Sequence, residues 1–92
     1  YYSGGDLLQK CESDVAAAYN KCAGYITGIV DYNEALVGLE ILPTKTFCAP
    51  VGATGGQLVK VVTKYLNEHP EELHYAAGSV VPIALMEAFP CS

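Results

Sequence analysis

The sequence contains no arginine and no tryptophan, and its five basic residues are all lysines, set against ten aspartates and glutamates. Neutralising the phosphates of nucleic acid or the head groups of an anionic membrane requires clustered positive charge. With a net charge of −5, this chain lacks such clusters. We therefore expect neither nucleic acid nor a membrane surface among its partners.

Long hydrophobic runs are also missing, since no stretch approaches the roughly 18 apolar residues of a membrane span. The 92 residues are 51% hydrophobic and 16% charged, which is typical of a chain with a packed core. This length allows one domain over residues 1–92, with residues 1–5 as a loose arm. We expect a mature exported chain, with no targeting segment ahead of Tyr1 and no membrane insertion.

The four cysteines, Cys11, Cys22, Cys48 and Cys91, form no Cys-x-x-Cys pair, which argues against a zinc site. An even number of well-separated cysteines instead favours two disulfides and an oxidising compartment. The alternative is four buried free thiols in a cytosolic chain.

The first half of the chain predicts one long helix after a short amino-terminal one. Asp6 is expected to cap a helical turn that ends at Cys11. Ser13 is a favourable N-cap residue, and helical spacing of apolar residues continues from it to Val37. Gly24 and Gly28 lie on this helix, four residues apart, and are expected to let another backbone approach closely.

A packed loop is expected over residues 38–53, because glycine and proline interrupt any regular element while Leu39, Ile41, Leu42 and Phe47 need apolar contacts. A second helix follows. Thr54 and Gln57 have the spacing of a capping box, in which each side chain bonds the other's backbone N–H.

The third helix is expected to begin at Pro70 and to stop at Pro90. Pro82 lies within it and cannot donate a helical hydrogen bond, so a kink is predicted near Gly78 and Ser79. Three main helices and a short amino-terminal turn make an all-α fold, a small single-domain helical bundle stabilised by disulfides.

Candidate catalytic and metal-binding groups are few, and we expect no enzyme activity, no metal and no cofactor. His69 and His74 are five residues apart, unlike the four-residue spacing of a metallohydrolase helix, and a proline separates His69 from the glutamates that follow. Asp31 and Glu34 have the spacing of a solvated helix face.

The seven tyrosines are the more informative residues, because tyrosine supplies rigid contact area with a polar tip. Tyr19, Tyr25 and Tyr65 lie on the predicted core stripes. The tyrosines off these stripes are candidates for a partner surface or for ordinary amphipathic surface: Tyr1, Tyr2, Tyr32 and Tyr75.

Four motifs in order carry a family resemblance: Cys-Ala-Gly-Tyr-Ile-Thr-Gly at residues 22–28, Phe-Cys-Ala-Pro at 47–50, Thr-Gly-Gly-Gln-Leu-Val at 54–59 with Tyr-Leu-Asn-Glu-His-Pro-Glu at 65–71, and Ala-Phe-Pro-Cys at 88–91. Together they resemble the Rap/Tai family of periplasmic immunity proteins. The scaffold positions carried over are Gly24, Tyr25, Gly28, Pro50, Thr54, Gln57, His69, Pro70, Phe89 and Pro90.

The resemblance implies an exported, all-helical and often dimeric protein without catalysis. Its partner would be a peptidoglycan amidase effector of type VI secretion, inhibited by covering the active cleft. An orphan member with another periplasmic protein partner is an alternative.

An acid-stress chaperone of the Hde type is a further alternative from a different class. With the carboxylates neutral and the histidines protonated, the formal charge would move from −5 to +7, and self-repulsion could expose a binding surface.

Two disulfide pairings are compatible with three helices that alternate in direction. The preferred pairing joins Cys11 to Cys22 and Cys48 to Cys91, because each pair falls at one end of the bundle. The loop is also long enough to bring Cys48 to Cys22, which would leave Cys11 for Cys91.

Overall fold

The computed structural model describes residues 1–91 and contains, within them, four α-helices and one short 3-10 helix. The α-helices are α1 (Gly4–Cys11), α2 (Ala16–Gly38), α3 (Gly55–Glu68) and α4 (Ala77–Ala88), and the 3-10 helix is Pro70–Glu72. The expected all-α fold is confirmed. None of the helices in this range combines the length and hydropathy that a bilayer span requires.

All four helices contribute to one hydrophobic core. Leu7 of α1, Ile26 of α2, Leu66 of α3 and Leu85 of α4 are almost completely buried together. Full burial of such a side chain stabilises a fold by roughly 1.5–3 kcal/mol. On α3 the buried positions recur three and four residues apart, as the helical pattern of the sequence indicated.

The amino-terminal segment is anchored from Tyr2 onward, which differs from the loose arm expected over residues 1–5, while the Tyr1 side chain is fully exposed. Ser3, not Asp6, is the N-cap of α1, and Asp6 completes a capping box with it. The Gly4 N–H donates to the Tyr75 carbonyl and the Ala77 N–H donates to the Tyr2 carbonyl, each at 2.8 Å. A Cβ on Gly4 would lie 3.3 Å from Leu66, so the glycine is needed for close contact here and does not loosen the chain.

The long helix α2 begins at Ala16, later than the sequence suggested. The Ser13 hydroxyl accepts a hydrogen bond from the Val15 N–H at 3.0 Å, and this turn holds Ser13 before the helix. Tyr19 is exposed, so its assignment to the core is wrong, whereas Tyr25 is half-buried and Tyr65 is buried.

The capping box predicted for α3 forms only in part. The Thr54 hydroxyl accepts a hydrogen bond from the Gln57 N–H at 3.1 Å. Among the described residues, no bond from the Gln57 side chain to the Thr54 N–H accompanies it. The hydroxyl alone satisfies one of the free donors at this helix start.

The third helix does not begin at Pro70, and a break replaces the kink expected near Gly78 and Ser79. The chain leaves the 3-10 helix, forms an isolated antiparallel bridge between Ala76 and Ser3, and starts α4 only at Ala77. The reason is competition for backbone bonds. The carbonyls of Leu73 and Tyr75, which a continuous helix would use internally, accept from the N–H groups of Gly5 and Gly4.

The two disulfides have the preferred pairing, Cys11–Cys22 and Cys48–Cys91, each with Cα atoms 5.1 Å apart. The first bridge is buried and joins α1 to α2. The second is exposed and ties the loop to the chain that follows α4.

The loop over residues 38–53 is packed only through some of its apolar residues. Phe47 is buried in the core, as expected, but Leu39 and Ile41 are exposed, which the sequence analysis did not anticipate.

Candidate functional site

An open groove of about 560 Å³ runs along α2 and is bounded on its other sides by α4 and by the loop between α2 and α3. We call it the α2 groove. The helix α2 lines it with Gly24, Tyr25, Gly28, Ile29, Tyr32 and Asn33, among others. Leu42, Thr46 and Phe47 of the loop and Gly78 and Pro82 of α4 form the opposing sides. Its volume lies within the range of ordinary binding pockets.

The described residues that line the α2 groove include no charged side chain. The two helices beside it also contain long uncharged stretches, residues 22–30 of α2 and residues 77–86 of α4. Large apolar side chains remain exposed on the same helices, among them Tyr32, Ile83 and Met86. A helix that is apolar on all sides is normally covered, and exposed apolar patches commonly mark protein interaction sites.

Gly24 and Gly28 keep the groove open. The expected close approach of another backbone is not made by any described part of this chain, since a Cβ at either position would have no atom within 4 Å. Each glycine costs a helix interior about 1 kcal/mol relative to alanine. Within the described chain, closer packing does not offset that cost, and the result is space along the surface of α2.

Asn33 is a buried polar residue at the side of the groove, only 6% exposed. Its Oδ1 accepts a hydrogen bond from the Thr46 N–H at 3.1 Å, which ties the loop to α2. Its Nδ2 is buried and has no partner among the described residues. A buried donor left without an acceptor costs roughly 1–3 kcal/mol, so a ligand that supplied an acceptor would gain affinity there.

Two exposed acidic residues lie close in sequence to the groove lining. Asp31 lies on α2 three residues after Gly28 and directly before Tyr32, and Glu40 lies just beyond the end of that helix. No basic residue lies in the last turn of α2, so the partial negative charge of this helix end is not compensated locally. Glu34 is neutralised by Lys45, with Nζ 2.9 Å from Oε1. Asp31 and Glu34 are thus surface charges and do not form a carboxylate pair.

The four tyrosines predicted to form a partner surface lie in different environments. Tyr32 is 66% exposed and lines the groove. Tyr2 is half-buried, packs on Tyr25 with ring centroids 5.3 Å apart, and has the Lys10 ammonium 4.7 Å from its ring. It therefore supports a groove wall. Tyr1 and Tyr75 are exposed and do not line the groove, and their contact with a partner stays a prediction.

Tyr65 organises a second cluster at the end of α3. Its ring stacks on His69 at 3.9 Å, and its hydroxyl donates to Glu72 at 2.9 Å. Burial, reinforced by the bond to Glu72, raises the pKa of Tyr65 to about 12. The His69 Nδ1 lies 2.8 Å from the Tyr65 carbonyl, and this hydrogen bond raises the pKa of His69 above its usual 6.5.

The same cluster corrects one step of the metal argument. Pro70 does not separate His69 from the glutamates, because the 3-10 helix folds them back until donor atoms of His69, Glu71 and Glu72 lie within 4.8 Å of one another. Glu72 is already bonded by Tyr65 and His69 by the Tyr65 carbonyl. These bonds hold the 3-10 helix against the carboxyl-terminal end of α3, so the cluster has a structural role.

The remaining scaffold positions shape chain ends and turns. The Pro50 carbonyl accepts from the Ala53 N–H in the turn before α3, and Pro70 begins the 3-10 helix. Phe89 packs against the core and its carbonyl accepts from the Cys48 N–H, just before Pro90. All four cysteines lie within the described residues and are bridged, so none is available as a thiolate nucleophile.

Sequence reasoning missed Asn33, although a signal was present. An asparagine that interrupts the apolar stripe of α2 between Ile29 and Leu36 is a candidate buried amide. The parts of the groove contributed by Phe47 and Pro82 had no local signal, because they depend on where the loop and α4 cross α2.

A family model of the Rap1a immunity proteins matches residues 3–91 of this chain. No protein with a curated description matches it. The family match covers every helix and the whole α2 groove.

Proposed function

Because the chain belongs to the Rap1a immunity protein family, we propose that it is a periplasmic immunity protein that neutralises a cell-wall amidase of type VI secretion by covering its active cleft. Family membership indicates a protein partner. The identity of that partner as a peptidoglycan amidase comes from the motif resemblance.

The observation that carries the proposal is the apolar α2 groove together with exposed apolar side chains on the two helices that line it. Tyr32 stays exposed in the groove, and Ile83 and Met86 stay exposed on α4, the helix that contributes Gly78 and Pro82 to the lining. Protein interfaces place aromatic and aliphatic anchors at their centre and deplete charged residues. A partner that covers this face would shield the apolar sides of α2 and α4 from water.

The disulfides support the proposed compartment. Bridges between Cys11 and Cys22 and between Cys48 and Cys91 persist in oxidising surroundings such as the periplasm and are rare in the cytosol. The effector would meet its immunity protein in the same compartment as its cell-wall substrate.

The protein is proposed to act as a homodimer, as the family resemblance implies. Sedimentation of the oxidised chain tests this directly, and a monomer at every accessible concentration would contradict it.

The main experiment combines the oxidised protein with the amidase encoded beside its gene and follows peptidoglycan hydrolysis. We expect hydrolysis to stop near one immunity chain per amidase, with tight binding measured by calorimetry. Full hydrolysis in the presence of excess protein would overturn the proposed function.

A matched pair of variants tests whether the groove face makes the contact. Tyr32→Ala removes an exposed ring from the groove, whereas Tyr19→Ala removes an exposed ring that lies outside it. We expect Tyr32→Ala alone to weaken amidase binding by about tenfold or more, as truncation of an interface aromatic commonly does.

A further inference from the structure

The α2 groove has three chemical features that together specify what could fill it. Its lining is apolar and aromatic, one buried amide donor at its side has no partner among the described residues, and the exposed Asp31 lies next to the lining on α2. Each feature comes from different residues and restricts the occupant in a different way.

The apolar lining selects an uncharged side chain of some size. Tyr25, Ile29 and Phe47 surround a space of about 560 Å³, and Gly28 leaves it open toward solvent. Transfer of a phenylalanine or leucine side chain into such surroundings contributes through the apolar area removed from water. A charged side chain would lose its hydration there without a partner.

The Asn33 amide selects a hydrogen-bond acceptor beside that side chain. Its Oδ1 is engaged by the Thr46 N–H, so its orientation is fixed and Nδ2 is the atom that no described residue bonds. Peptide carbonyls are the acceptors that any protein segment carries at regular intervals. A bound segment therefore offers both the side chain and the acceptor.

The acidic residues near the lining select a positive charge. Asp31 is exposed and lies three residues after Gly28 on α2, the spacing of neighbours on a helix surface, while Lys45 is engaged with Glu34. A lysine or arginine of the occupant would meet complementary charge beside Asp31, whereas an acidic segment would be repelled.

We propose that the α2 groove receives a basic segment of the partner protein, with one large apolar side chain in the groove, a backbone carbonyl at the Asn33 amide and a lysine or arginine beside Asp31. This assignment rests on the proposed function, because it names the chemistry of the effector surface that the immunity protein recognises. A second copy of this chain is the less suitable occupant, since it carries no arginine and a net charge of −5.

The test uses the full oxidised chain and two capped tetrapeptides that share their centre, acetyl-Lys-Phe-Leu-Lys-amide and acetyl-Glu-Phe-Leu-Glu-amide. Binding is followed through the backbone amides of Gly24 and Gly28 and the side-chain amide of Asn33 by nuclear magnetic resonance. At low salt we expect the basic peptide to bind about fivefold more tightly than the acidic one, as one or two exposed charge contacts provide. The difference should shrink as salt is raised.

Two variants separate the parts of the proposal. Gly28→Leu places a side chain into open space in the groove and should abolish binding of both peptides without unfolding the protein, while Gly38→Leu makes the same change on α2 outside the groove and should leave binding intact. Asp31→Asn should reduce the preference for the basic peptide and keep the apolar contact.

Equal binding of the two peptides, or shifts away from the groove, would overturn the proposal. So would a conversion of dimer to monomer by Gly28→Leu, because the groove would then hold a second copy. If the protein inhibits its amidase while neither peptide binds, this assignment fails and the proposed function stands. If the peptides bind as expected while no amidase is inhibited, the proposed function fails and the assignment of the groove's partner fails with it.

Discussion

At the scale of single residues, the start of α1 shows how much two short side chains contribute. The Ser3 hydroxyl accepts from the Asp6 N–H at 3.1 Å, and the Asp6 carboxylate accepts from the Ser3 N–H at 3.2 Å. The bond from the Ser3 backbone also holds the pKa of Asp6 below its usual value. Together these bonds satisfy donors that an eight-residue helix cannot pair internally.

We predict that Ser3→Ala destabilises the protein by about 1 kcal/mol, the usual effect of losing an N-cap hydroxyl. Chemical denaturation of the oxidised chain measures the free energy of unfolding. Ser79→Ala is the control, because Ser79 is exposed and its side chain is not hydrogen-bonded within the described residues. Equal stability of the two variants would contradict the role of Ser3.

His69 gives a pH prediction at the same scale. Its hydrogen bond to the Tyr65 carbonyl, with smaller contributions from Glu72 and Glu71, raises the pKa of its imidazole above 6.5. Because folding raises this pKa, protonated His69 stabilises the fold fully below pH 6.5, and the contribution is lost as the pH rises through the folded-state pKa.

A nuclear magnetic resonance titration of His69 should therefore give a pKa above 6.5. In His69→Gln, this contribution to the pH dependence of stability should disappear. A midpoint at or below the usual value would show that the bond to Tyr65 does not favour the imidazolium in solution.

At the scale of elements, the two disulfides differ in exposure and in loop length. Cys22 is fully buried and Cys11 is 7% exposed, whereas Cys48 and Cys91 are both exposed. The bridge that spans 43 residues should stabilise by roughly 4 kcal/mol and the one that spans 11 by roughly 3 kcal/mol in the chain-entropy account.

We predict that dithiothreitol reduces Cys48–Cys91 first in the native protein, because a thiolate must reach the sulfur that it attacks. Brief reduction, alkylation and peptide mapping would identify the labelled cysteines. Labelling of Cys11 and Cys22 ahead of the other pair would mean that local opening of the core, not exposure, controls the reaction.

The break before α4 is also a property of elements. The local sequence from Pro70 onward favours a continuous helix, with Glu71 and Glu72 suited to its first turn. The amino-terminal segment overrides that preference, because it supplies N–H donors to Leu73 and Tyr75. Such a contact joins residues some 70 positions apart in the chain, and no local pattern reports it.

At the scale of the whole molecule, the first residues of the chain contact the start of the last helix, α4. The Tyr2 carbonyl accepts from Ala77, Ser3 pairs with Ala76, and the Tyr2 ring supports Tyr25 in the groove wall. The amino terminus therefore connects the core to the proposed binding surface.

We predict that removal of residues 1–3 destabilises the protein by about 2 kcal/mol, through loss of the two backbone hydrogen bonds that the Tyr2 and Ser3 carbonyls accept, an N-cap and an aromatic contact. Thermal and chemical unfolding would measure the loss. Removal of Tyr1 alone is the matched control, since its side chain is fully exposed. A similar loss in both truncations would contradict anchoring through Tyr2 and Ser3.

The sequence by itself determined the helices α2 and α3 and the core stripe through Leu58, Val62 and Leu66, because periodicity and capping residues act over short distances along the chain. The even number of well-separated cysteines likewise indicated two disulfides. Only the tertiary structure decided that Gly24 and Gly28 line a groove, that the Asn33 amide has no partner among residues 1–91, and that the amino-terminal segment interrupts the last helix. The physical reason is that open space and unpaired donors are set by which distant segments meet.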